Sequence, residues 1–89
     1  MIPSTLVQIP NYPGFLGTFD HETWWKSEPI DGLDEIIDVC WVYGEYHVAA
    51  AKMLDGTYSI WQSPDNGYSW RQQLNTAEQI KCLVRPDYG

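Results

Sequence analysis

The sequence predicts an all-β fold: an antiparallel meander carrying an extended N-terminal arm. Three observations lead there. Short runs rich in β-branched and aromatic residues recur from residue 36 onward, small clusters of Gly, Asp and Asn punctuate them, and Pro3, Pro10, Pro13, Gly14 and Gly17 break up the start of the chain.

Residues 1–19 form the arm, extended with turns and free to lie across a neighbouring surface; residues 20–89 form the β-domain. Strands are expected at 36–43, 46–53, 57–62, 69–74 and 80–84, joined by turns at Gly44-Glu45, Asp55-Gly56, Asp65-Asn66-Gly67 and Asn75-Thr76. Alternation places Val39, Trp41 and Tyr43 on one face of the first of these strands. In the third, Tyr58 and Ile60 oppose Ser59 and Trp61. The run Ala49-Ala50-Ala51-Lys52-Met53-Leu54 has good local helix propensity. Small residues between two β-rich runs nevertheless suit a crowded inner strand packed on both faces, and a six-residue helix closed by Asp55-Gly56 gains little by itself.

The chain has 89 residues and a mass of 10.3 kDa, enough for one domain and little room for an enclosed active site. Twelve acidic residues against five basic ones give a net charge of −7, which opposes nucleic acid and anionic membranes. Asp20, Glu22, Glu28, Asp31, Asp34, Glu35, Asp38 and Glu45, set against Lys26 alone, account for all of it. Such a one-sided field either solubilises the surface or steers a cationic partner. No apolar stretch reaches the ~20 residues of a membrane span, and the N-terminus lacks the basic and apolar regions of a secretory signal. A cytoplasmic or virion-associated location is therefore expected before classical secretion. Cys40 and Cys82 are too few for a disulfide framework and are expected as two buried, unbridged thiols.

The segment Ser63-Pro64-Asp65-Asn66-Gly67-Tyr68-Ser69-Trp70 lies between two expected strands. Asp65 is short enough to accept hydrogen bonds from its own turn, Gly67 tolerates positive φ, Ser63 can tie the incoming strand to the turn, and Trp70 brings a large apolar surface. This segment resembles the Asp-box, or bacterial neuraminidase repeat, with all five characteristic positions present: Ser63, Asp65, Gly67, Ser69 and Trp70. In that family the motif joins the third and fourth strands of a β-propeller blade. A weaker second copy is visible, Trp25-Lys26-Ser27 paralleling Trp61-Gln62-Ser63, but four residues separate Ser27 from Asp31 and no tryptophan follows Gly32. The resemblance implies one to two blades: the end of one, a whole one over residues 36–75, and the inner strand of a third.

So short a chain cannot close a propeller ring, so exposed strand edges imply a homo-oligomer or a larger protein assembly. Asp-box propellers include sialidases, whose site resembles three arginines around a carboxylate; Arg71 and Arg85 are too few, so no catalytic residue and no enzymatic activity are expected. The segment Asp20-His21-Glu22 with Asp31, Asp34 and Glu35 matches no calcium-loop spacing, and His21 and His47 lack zinc-ligand companions, so neither metal nor cofactor is expected. The aromatic residues offer the stronger case. Trp24, Trp25, Tyr43, Tyr46 and Tyr68 are candidate ligand or interface residues, suited to stacking on a glycan or anchoring a protein contact, while Trp41, Trp61 and Trp70 are assigned to the core. The function expected is a non-catalytic binding module, with a structural component of a virion or other assembly, or a fragment of a sialidase-like hydrolase, as alternatives.

Overall fold

The computed structural model describes residues 4–81. Seven strands form two antiparallel sheets, and no described residue is helical. The first sheet comprises β1 (Thr5–Gln8), β2 (Phe15–Thr18) and β3 (Trp25–Lys26), in that order. The second is a meander of β4 (Leu33–Tyr43), β5 (Tyr46–Met53), β6 (Tyr58–Ser63) and β7 (Arg71–Thr76), each strand pairing with the next.

The N-terminal segment differs from the expected arm. Prolines and turns do interrupt it, but its extended pieces close a hairpin, Thr5 opposite Thr18 and Gln8 opposite Phe15, and β2 then pairs with β3. Pairing thus runs across residues 19–20. Pro10 and Pro13 fall outside all three strands, where a missing N–H breaks no ladder. Gly17 lets β2 approach β3 closely, because the Trp25 indole lies across it.

In the meander, strand alternation decides the faces. His47, Ala49, Ala51 and Met53 of β5, with Ser59, Trp61 and Ser63 of β6, are buried on the side that receives the first sheet. Phe15 and Ile30 come down onto Ala49, Ala51 and Trp61, with Leu6, Ile36, Val39 and Trp70 packed around them. Removing Phe15 from water contributes about 1.5–3 kcal/mol to this core. The alanine run is a strand, buried on both faces, because small side chains between β4 and β6 admit neighbours that a helix would exclude.

Five further expectations need correction. Ser69 does not begin the last strand: its amide and hydroxyl are both committed to Asp65, and β7 starts at Arg71. Asn75-Thr76 is not a turn, because Ser59 and Tyr58 of β6 hold both residues in the ladder. Tyr43 leaves the face of Val39 and Trp41, since a bulge between Trp41 and Tyr43 sets it opposite Tyr46 instead. Cys40 is half-buried on β4, not enclosed. Of the expected 80–84 strand, Ile80 and Lys81 are not in a strand; the remainder, with Cys82, lies outside the described residues.

Candidate functional site

The turn between β6 and β7, the third and fourth strands of the meander, organises one end of the molecule. Ser63 Oγ donates to Asp65 Oδ1 at 2.8 Å and accepts from the Gly67 amide at 2.8 Å. Asp65 Oδ1 also accepts from the Ser69 amide at 2.8 Å, and its Oδ2 from the Ser69 hydroxyl at 2.6 Å. Trp70 Nε1 closes the loop on the Gly67 carbonyl at 2.8 Å. All five residues singled out in the sequence therefore act as one closed hydrogen-bonded unit. Burial works against ionising Asp65, but the bonds from Ser69, Ser63 and the Tyr68 backbone outweigh it and hold the carboxyl below its ordinary range.

Two further segments dock on this turn. The Asn66 amide donates to the Glu45 carbonyl at 2.8 Å, joining the β4–β5 turn, and Ser4 Oγ donates to the Asn66 carbonyl at 2.6 Å, anchoring the start of β1. Gly67 sits against Leu6, and Phe15 stacks on Trp70 with centroids 5.0 Å apart. Beneath the turn, His47 is 3% exposed, and neither ring nitrogen has a hydrogen-bond partner. Desolvation holds the imidazole below its ordinary value, and the nearby carbonyls of Glu45 and Ser4 pull only weakly the other way.

The five candidate aromatics divide into two groups. Trp25 and Tyr68 meet with centroids 6.4 Å apart, and Phe19 extends the row at 6.1 Å from Trp25. Trp24, which precedes Trp25 in the chain, is 43% exposed and meets His21 edge-on, while Tyr68 and Phe19 are 49% and 52% exposed. Tyr43 and Tyr46 form a separate pair at 5.1 Å on the other face of the meander. The sequence reading missed Phe19; its position directly before the acidic loop that carries Trp24 was the available signal. Of the three tryptophans assigned to the core, Trp61 is buried, whereas Trp70 and Trp41 are half-buried.

The loop of residues 19–24 is built around Asp20, whose Oδ1 accepts from the Glu22 amide at 2.9 Å, the Thr23 amide at 2.8 Å and the Thr18 hydroxyl at 3.2 Å. Those backbone bonds lower the Asp20 pKa. Among the described residues no group of three His, Cys, Asp or Glu side chains is arranged to hold a metal ion. At the opposite end of the meander lies an open cleft of about 450 Å³, lined by Asp31, Gly32, Met53, Leu54, Asp55, Gln72 and Asn75. Asp55 there is bound by the hydroxyl and amide of Thr57, which lower its pKa. No described helix is long and apolar enough to cross a membrane. Scans of family models, curated proteins and solved structures find no significant match to this chain.

Proposed function

We propose that the chain is a non-catalytic binding module of the Asp-box kind, acting within a homo-oligomer or larger assembly, and that the aromatic end beside the Ser63–Trp70 turn is its ligand surface. The observation that carries this reading is the row Phe19–Trp25–Tyr68, half open to solvent and flanked by hydrogen-bonded turns, with exposed Trp24 in the loop that leads into it. Rings left exposed on a rigid frame offer stacking area at little cost in side-chain entropy, the property shared by glycan-binding platforms and protein hot spots.

The motif's place between the third and fourth strands of the meander supports the Asp-box assignment. The non-catalytic assignment rests on the arginine count, since Arg71 and Arg85 are two where a sialidase-like site uses three. Assembly is supported by β7, whose outer edge has no strand partner among the described residues and whose residues 71–75 are all exposed. Sedimentation together with a binding screen of glycans and proteins tests the reading. A discrete oligomer whose ligand binding is lost in Trp24→Ala supports it; a monomer that binds nothing, or that binds equally well without Trp24, refutes it.

A further inference from the structure

Resting on that reading, we infer that the ligand of the aromatic end is a cationic protein segment, an extended stretch rich in lysine and arginine. The charges around the row decide its chemistry. Asp20 and Glu22 belong to the loop that carries Phe19 and Trp24, the Asp20 carboxylate capping that loop's amides, and the Glu28 amide bonds the Tyr68 carbonyl at 2.7 Å, which brings a third acidic residue to the other end of the row. All three residues are exposed. The cations nearest in sequence turn away. Lys26 follows Trp25 in β3 and so occupies the opposite face, its Nζ 5.1 Å above the Tyr12 ring. Arg71 follows Trp70 and pairs with Gln62 on the far face of the meander.

Ring faces carry negative potential, and carboxylates at both ends deepen it, so the surface attracts ammonium and guanidinium groups and repels anionic glycans. Centroid spacings of 6.1 and 6.4 Å also approach the ~6.6–6.8 Å between alternate side chains of an extended peptide. One strand of ligand can therefore set successive basic side chains over successive rings.

The test titrates the full chain with an acetylated octalysine peptide, followed by tryptophan fluorescence and calorimetry, with octaglutamate and a set of neutral oligosaccharides in parallel. Octalysine is expected to bind saturably and to weaken roughly tenfold between about 50 and 300 mM salt. Replacing the exposed rings, Trp24→Ala with Tyr68→Ala, should weaken binding about tenfold more, and Glu22→Gln with Glu28→Gln should flatten the salt dependence. Asp31→Asn with Asp34→Asn, at the opposite end, should change affinity less than about twofold if the site rather than net charge is responsible. Equal losses from both ends, or no saturable binding of octalysine, would overturn the inference. Neutral oligosaccharides that bind at Trp24 while octalysine does not would overturn it and leave the ligand surface standing. Failure of every probe would count against both.

Discussion

Gly67→Ala isolates the contact between the N-terminal sheet and the Ser63–Trp70 turn. Gly67 has φ +91°, a region that costs an L-residue roughly 1–2 kcal/mol, and a Cβ placed there would meet Leu6 at 2.5, 2.7 and 3.1 Å. Gly56 serves as the internal reference, because its φ of +87° is nearly the same and a Cβ there meets nothing within 4 Å. Backbone strain and the effect on the unfolded chain thus cancel between the two alanine variants, leaving the packing conflict alone. Leu6 is half-buried and can yield in part, so the conflict falls at the low end of overpacking costs, about 1–2 kcal/mol. Gly56→Ala should therefore destabilise by about 1–2 kcal/mol and Gly67→Ala by about 2–4 kcal/mol in urea unfolding. In a double-mutant cycle, Leu6→Ala should recover about 1 kcal/mol in the Gly67→Ala background. Equal losses at the two glycines with no coupling to Leu6 would refute the docking of β1 on this turn.

Three other outcomes follow from the same geometry. Asp65→Ala removes the acceptor of three hydrogen bonds and should cost about 2–4 kcal/mol in denaturant unfolding. Because the Asp65 pKa is lowered in the fold, the unfolded chain takes up the proton first; the stability it supplies is complete above the ordinary value of 3.8 and lost as pH falls through the folded value, so the variant should flatten that acid limb. His47 carries a lowered pKa as well, so the unfolded chain binds its proton first below 6.5, and stability should fall with decreasing pH there by at most about 1.4 kcal/mol per unit; His47→Leu should abolish that slope in thermal melts run from pH 7.5 downward. Trp70→Ala should cost about 2–4 kcal/mol and remove the near-ultraviolet signal of the Phe15–Trp70 pair, whereas Trp24→Ala should leave stability within about 0.5 kcal/mol.

The meander was legible because its signals are local. Alternation, the Gly44, Gly56 and Gly67 turns and the small-residue run of β5 act within a few residues, and the strand of residues 46–53 falls where the sequence places it. The box was legible for the same reason: every partner of Asp65 lies within four residues of it. The first sheet was not, since β1 and β2 are four residues each and β3 only two, too short for alternation to show. Their pairing depends on Gly17 admitting Trp25, a contact that no period in the sequence announces. The division of the aromatics was hidden too, because one bulged residue of β4 moves Tyr43 to the other face.

These two kinds of structure meet at the box, and their meeting explains why the ligand surface is composite. The turn is self-sufficient in hydrogen bonds, yet it presents a glycine that Leu6 covers and a carbonyl, that of Asn66, that Ser4 satisfies. The Tyr68 carbonyl is likewise taken by the Glu28 amide. A local motif made by the meander thus receives these contacts from the N-terminal part of the chain, with Phe15 stacked on Trp70 besides, and Tyr68 is held beside Trp25 only while they stand. Losing them separates the row into rings on two independent sheets. Binding at the aromatic end and the docking of the first sheet should consequently rise and fall together: Gly67→Ala, whose added methyl meets Leu6, should weaken ligand binding in proportion to the fraction of molecules in which β1 has come away from the turn. Full affinity in that variant, measured where its β1 amides exchange freely, would show that the meander alone carries the surface.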